Sequence, residues 1–216
     1  MTPVMLLSEG FIGNGSEPWK IPSMSEYPEI KPPFFHGALQ DGERFQPYER
    51  DPETLVRRWA IPGQKGLEHR IGGLEKDHQG VLSTDPVNHE TMVRERAEKV
   101  DRIAAFIPEL ELHGPKQGKL LVVSWGGTFG HVFSAWRQFE GQDVAFAHFD
   151  FIKPLPRNTR EVFGSYEKIL VCELNSGQFA GYLRAEMPEF HYEKFNKVQG
   201  QPFLVSEIAR AIKDNL

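Results

Sequence analysis

Residues 120–136 read LLVVSWGGTFGHVFSAW: an apolar run, a Gly-rich turn, then an amphipathic stretch. The run is almost continuously apolar, which marks a strand buried on both faces instead of one alternating between core and water. Gly126 and Gly127 permit a tight reversal from strand to helix, and Thr128 is placed to cap the helix that follows. The turn has a second reading, as a phosphate cradle. A dinucleotide fingerprint needs GxGxxG after its strand, because each glycine lets backbone approach pyrophosphate or helix approach strand. Gly126, Gly127 and Gly130 have a different spacing, and neither a P-loop Gly-Lys-Ser/Thr nor a GxSxG nucleophile elbow is present. At 13–18, GNGSEP starts like the fingerprint but has Pro18 where its third glycine belongs.

Three similar units follow. Strand patterns at 144–151 (VAFAHFDF), 168–174 (KILVCEL) and 191–198 (HYEKFNKV) alternate with helical patterns, so helices are expected over 130–139, 159–165, 178–186 and 204–214. Asn158 with Glu161 has capping-box spacing, and Pro188 lies just past the third helix. Alternation of this length predicts a three-layer α/β/α domain with a mostly parallel sheet and LLVVSW at its centre. Ligands of such sheets gather at the carboxyl ends of the strands. Two amide-rich turns fall there: Asn175, Ser176, Gly177 and Gln178 after the third strand, then Asn196, Lys197, Gln199, Gly200 and Gln201 after the fourth. Either they hold a polar ligand or partner, or they are ordinary turn chemistry, which favours Asn and Gly.

Upstream the character changes. Pro and Gly interrupt residues 9–83 in SEPWKIP, EIKPPFF and WAIPGQKG, denying the backbone a regular ladder. Yet Trp19, Phe34, Phe35, Phe45, Tyr48 and Trp59 are interleaved through it, and disordered linkers are poor in aromatics. An ordered, extended arm is expected. The apolar PVMLLS at 3–8 reads as a buried strand with no hairpin mate. Either it is internal to a longer parent, or it joins the edge of the sheet. One long helix then precedes the sheet: Asp85 can cap, Pro86 suits the first turn, and Pro108 stops it. Val93, Ala97, Val100, Ala104 and Ile107 form its apolar stripe, leaving Glu95, Arg96, Glu98, Lys99, Asp101 and Arg102 as a solvated face.

Composition excludes several functions. A net charge of −5 on 216 residues argues against nucleic acid. No apolar run reaches the roughly 18 residues of a membrane span. VMLLSEGFI is too short for a signal peptide and has no basic residues before it. The single cysteine, Cys172, suits the cytoplasm and cannot supply the four thiolates of an iron–sulfur cluster. Eight histidines are scattered without HxxxH spacing, so no metal ligand is assigned. No nucleophile–base or paired-carboxylate spacing marks a catalytic residue.

Seven segments carry a family resemblance: LLSEGFIGNGSEPWKIP, RDPETLVRRWAIPG, GLEHRIGGLEKD, STDPVNHETMVRERAEKV, LLVVSWGGTFG, CELNSGQ and NKVQGQPF. In this order they resemble the C-terminal portion of the alpha subunit of 2-oxoacid:ferredoxin oxidoreductases, most closely the 2-oxoglutarate type. The resemblance implies a parent complex that decarboxylates a 2-oxoacid on thiamine diphosphate and Mg²⁺. Electrons pass through an iron–sulfur cluster to ferredoxin, and an acyl-CoA leaves. It implies the end of a pyrimidine-binding domain plus a connector arm at 1–84, a linking helix at 85–108, and a transketolase C-terminal-like domain at 109–216. ELELHG at 109–114 would add a short antiparallel edge strand. The GDG…N diphosphate motif and the cluster cysteines are missing here, and the activating acid of the thiamine ring belongs upstream. No catalytic or cofactor-binding residue is therefore carried over, and the chain alone is expected to bind no cofactor and to be inactive. Its expected role is a scaffold facing the rest of the alpha subunit and a beta subunit. The competing readings are a free-standing ligand-binding or regulatory α/β module and a complete small enzyme with an unfamiliar site.

Overall fold

The decisive run forms β2, Gly118–Trp125, flanked by β3, Val144–Phe149, and β4, Tyr166–Glu173. All three pair in parallel, with Val122 opposite Phe146 on one side and Leu170 on the other. The edges are β5, Tyr192–Asn196, parallel to β4, and the two-residue β1, Leu112–His113, antiparallel to β3. Strand order is β1-β3-β2-β4-β5, which puts LLVVSW at the centre and ELELHG at an edge, as expected.

Burial on both faces explains the unbroken apolar runs. Leu121, Val123, Ala145, Ala147, Ile169 and Val171 enter one core, where Phe163 of α4 (Thr159–Gly164) and Phe179 and Leu183 of α5 (Gln178–Glu186) meet them. Leu120, Val122, Val144, Phe146, Leu170 and Cys172 enter the other, against Val132 and Trp136 of α3 (Phe129–Trp136) and Ile208 and Ile212 of α6 (Val205–Asn215). The side-chain period of two sorts neighbouring residues to opposite cores. The result is the three-layer α/β/α arrangement expected.

The computed structural model describes residues 2–16 and 18–216. Met1, with which the expected first segment begins, and Glu17, inside GNGSEP, lie outside the described residues. The chain divides into two units, Met1–Val4 with Glu17–Ile103, and Met5–Ser16 with Ala104–Leu216. The second unit holds the sheet and α1, Gly10–Asn14.

In the first unit the arm is ordered around a small core of its own. Phe45, Leu55 and Leu67 are buried, Phe35 packs on Phe45 at 5.5 Å, and Phe34 meets Trp59 edge-on at 6.0 Å. Trp19 stays exposed. The long helix is α2, Pro86–Arg102, with the Asp85 carboxylate accepting from the Val87 and Asn88 amides as expected. It ends before Pro108, and a 3-10 turn follows over Ile103–Ala105.

Two expectations are corrected here. The packed face of α2 is centred on Met92, 2% exposed, whereas Val93 is 47% exposed and Ala97 is also exposed. Glu95 is not solvated; it pairs with Arg50 at 2.6 Å, while Arg50 also donates to the Leu55 carbonyl at 3.1 Å. Arg96 reaches Glu75 at 2.8 Å, and Arg102 donates to the carbonyls of Pro52 and Glu53. Ion pairs with long stems can face a partner segment as well as apolar residues do. A polar-outside reading therefore misplaces the face. The second correction concerns residues 3–8, which form no strand and do not join the sheet edge. Val4 is 90% and Leu6 92% exposed.

Candidate functional site

The strand order sets where a site can form. From β2 the chain leaves through α3 toward β3, and from β4 it leaves through α5 toward β5, on opposite faces of the sheet. The crevice of such a sheet opens where adjacent strands diverge in this way, here between the carboxyl ends of β2 and β4. Every candidate residue named from the sequence lies on this carboxyl edge.

Its floor is Glu173, fully buried at 0% exposure and overlooked in the sequence reading. Its carboxylate accepts from the Phe179 and Ala180 amides, both at 2.9 Å, and from the Trp125 indole at 3.2 Å. A negative side chain is thus seated on the first turn of α5, where unpaired amides favour it. It ties the ends of β2 and β4 to that helix. The available signal was a lone acid closing an apolar strand just before an Asn-Ser-Gly turn.

The first amide loop folds over this floor. The Asn175 side-chain oxygen accepts from the Gly177 amide at 2.7 Å and the Gln178 amide at 3.1 Å. Gly177 sits at φ +97°, and a Cβ there would lie 2.9 Å from the Asn196 side chain and 3.1 Å from the Lys194 stem. The two amide loops are therefore in direct contact through Gly177 and Asn196. Ser176 and Gln178 face outward, as do Asn196, Gln199, Gly200 and Gln201. Lys197 does not. Its side chain is 9% exposed, and its ammonium donates to the Pro202 carbonyl at 3.0 Å and to both oxygens of Glu207 at 2.8 and 3.1 Å. That ammonium holds the Glu207 carboxyl below its usual range. Glu207 also accepts from the Leu204 amide at 2.8 Å, one half of a capping box, since the Leu204 side chain has no acceptor; the box expected at Asn158 with Glu161 does not form. Asn158 instead clamps Leu110, accepting from its amide at 2.8 Å and donating to its carbonyl at 3.0 Å.

At the opening turn, Gly126 takes φ +60° within a 3-10 turn over Gly126–Thr128. Thr128 does not cap α3; it is buried and donates back to the Trp125 carbonyl at 2.8 Å. The Glu9 carboxyl group occupies the space that a Cβ on Gly127 would need. That carboxyl group is the far end of a flexible side chain, so the contact alone does not demand glycine at 127. Glu9 is the one residue of 3–16 that is not exposed.

Beside this turn lies a second arrangement absent from the sequence reading. Ser124 and His148 are register partners on β2 and β3, and the Ser124 hydroxyl is 2.7 Å from His148 Nδ1. His148 Nε2 lies 3.7 Å from Asp150. Burial lowers the imidazole pKa below its usual value, partly opposed by the Asp150 charge. The order resembles a serine–histidine–acid chain, but Ser124 is 0% exposed and cannot reach a substrate. Chemically, then, the edge is a rigid rim of outward amides over buried, satisfied charges. Cys172 is buried, which pushes its thiol well above the usual range, away from the thiolate that binds metal or attacks.

No protein-family model matches the chain. It is 45% identical over 216 residues to the 2-oxoglutarate oxidoreductase subunit KorA of Mycobacterium tuberculosis, covering 98% of this chain and 32% of that protein. It is 33% identical over 199 residues to subunit alpha of 2-oxoacid:ferredoxin oxidoreductase 2 of Aeropyrum pernix, covering 85% of this chain and 29% of that one. Among solved structures it is similar to the 2-oxoglutarate:ferredoxin oxidoreductase from Magnetococcus marinus, which has 2-oxoglutarate, coenzyme A and succinyl-CoA bound. The TM-score is 0.80 at 26% identity, over 90% of this chain and 34% of that one. The chain is homologous to the alpha subunits of 2-oxoacid:ferredoxin oxidoreductases and spans about a third of the length of the relatives it matches.

Proposed function

We propose that this chain is the C-terminal module of the alpha subunit of a 2-oxoglutarate-type 2-oxoacid:ferredoxin oxidoreductase. It acts there as scaffold and interface, not as catalytic centre. The 45% identity to a KorA subunit over 98% of the chain carries this reading. The carboxyl edge supports it, because its acid and cation are spent on internal bonds and its one serine–histidine pair is closed to substrate. On this reading residues 109–216 are the transketolase C-terminal-like domain, 85–108 the linking helix, and 1–84 the connector with the end of a pyrimidine-binding domain. The exposed apolar residues Val4, Met5, Leu6 and Leu7 then pair with that domain.

The amide loops Asn175–Gln178 and Asn196–Gln201, with the turn Gly126–Thr128, face another domain or the beta subunit. Thiamine diphosphate, Mg²⁺, the cluster and CoA belong to the assembled cytoplasmic complex, with ferredoxin as acceptor. One cysteine supplies one thiolate, so the cluster is held elsewhere. The test is reconstitution from separate chains: this one, the rest of the alpha subunit, and the beta subunit. The chain is expected to co-purify and to be required for 2-oxoglutarate- and CoA-dependent dye reduction, with no turnover on its own. Full turnover without it, or turnover by it alone, would refute the scaffold role.

A further inference from the structure

Within the second unit, a cleft of about 530 Å³ lies between α1 and the carboxyl ends of β4 and β5. One wall is α1 with Glu9 at its start; the other is Leu174, just past β4, and the Gly200–Pro202 turn, past β5. Two ionisable side chains reach the cleft, and they are in different states. The Lys197 ammonium is engaged by the Pro202 carbonyl and both Glu207 oxygens, so that pair is balanced. Glu9 is not balanced. It stands at the N-cap of α1, yet its carboxylate makes no capping bond, and it has no hydrogen bond or ion pair among the described residues. It is partly buried, with its carboxyl group against Gly127. A carboxylate drawn partly out of water without a partner is costly, and an incoming cation removes that cost.

The rest of the lining narrows the cation. Phe11, Leu174 and Pro202 offer apolar surface for a long stem. The Asn14 amide nitrogen already donates to the Gly10 carbonyl at 2.9 Å, which leaves its oxygen as an acceptor, and the exposed Gln201 amide offers another. A guanidinium matches this set. Its planar fork gives two parallel bonds to one carboxylate, its other N–H groups suit the amide oxygens, and its face stacks on an aromatic ring such as Phe11. The surroundings suit a protein partner. The exposed apolar Val198 and Leu204 flank the Gly200–Pro202 turn, and the outward amides of the carboxyl edge continue from it. An arginine seated in a pocket with an apolar and amide surround is a recurrent anchor of protein interfaces.

We propose that this cleft receives an arginine side chain from a partner chain seated on the carboxyl edge, with Glu9 holding its guanidinium. This rests on the interface role proposed above and names the chemistry that the partner brings to it. The isotope-labelled 216-residue chain is titrated with blocked arginine (N-acetyl-arginine methylamide) while backbone amide signals are followed. Equally blocked citrulline, which has the same shape without the charge, and blocked lysine are the comparison probes.

Blocked arginine is expected to give saturable shifts at Gly10, Gly15, Gly200 and Gln201. Citrulline should bind about tenfold more weakly, and Glu9→Gln should weaken arginine about tenfold, the factor for one charge-assisted bond. Glu140→Gln, an exposed acid before β3 at the opposite end of the sheet, should leave the arginine response unchanged. No saturable shift with arginine, an equal response to citrulline or lysine, or an unchanged response in Glu9→Gln would overturn the proposal. Failed reconstitution with an intact, Glu9-dependent arginine response would instead refute only the assembled-enzyme reading.

Discussion

Glu173→Gln tests whether one buried carboxylate holds the carboxyl edge together. The two side chains have nearly the same shape, so no cavity opens. Glu173 presents two oxygens to three donors: the Phe179 amide, the Ala180 amide and the Trp125 indole. Glutamine keeps one oxygen and sets an NH₂ group against at least one donor. Hydrogen bonds to charged groups contribute about 1.5–3 kcal/mol each, and a buried donor left without an acceptor costs about 1–3 kcal/mol. The oxygen that remains recovers part of this, which leaves an expected loss of about 2–4 kcal/mol. For a domain of 150–250 residues each kcal/mol shifts Tm by about 2–4 °C. The variant should therefore melt roughly 5–15 °C lower by circular dichroism. Amide exchange should rise first at Phe179 and Ala180 if the seat on α5 is what fails. A Tm within about 1 °C of the parent, or unchanged exchange at those two amides, would refute this account of the edge.

Two comparisons extend the same reasoning. Gly177→Ala and Gly141→Ala both place a side chain at positive φ, +97° and +87°, but only Gly177 also presses on Asn196 and Lys194. Gly177→Ala should lower Tm further and alone perturb the Asn196 signal; equal effects would mean that the two amide loops do not touch. On α2, Met92→Ala should cost about 2–5 kcal/mol, the range for an emptied buried site, whereas Val93→Ala should stay within about 0.5 kcal/mol. Similar melting temperatures for the two variants would restore the apolar stripe as the packed face.

Much of the sheet was legible because both of its signals are local. The stretches LLVV and ILVC inside LLVVSW and KILVCEL are apolar at consecutive positions, which burial on two faces requires, and each is followed by a helical pattern at short range. Strand order at the centre and the antiparallel edge at Leu112–His113 follow from those elements and from the family resemblance. The face of α2 was not legible. Its sequence has a genuine apolar stripe, but the choice between Val93 and Met92 depends on Arg50, more than forty residues earlier, meeting Glu95. A helix-only pattern contains no information about that partner. Residues 3–8 show the converse case, a strand composition without a strand, since a β-pattern specifies a ladder only when another strand is present to complete it.

The site divides along the same line. Asn175, Gly177 and Gly200 were identifiable because turn chemistry is written in the residues themselves: an Asx-type acceptor two and three positions ahead, and glycine where φ is positive. That the Lys197 ammonium is spent on Glu207 was not legible in its own loop, because Glu207 sits in the next element. Glu173 was passed over because an acid at a strand end reads as solvated until the helix that receives it is placed. Glu9 and Gly127 are more than a hundred residues apart, and nothing in GGTFG itself announces that the Glu9 carboxyl group lies against Gly127. In each instance the residue type announced a charge or a missing side chain, and the fold decided what met it. The Gly-rich turn, whose second reading was a phosphate cradle, has the Glu9 carboxyl group of its own chain against it.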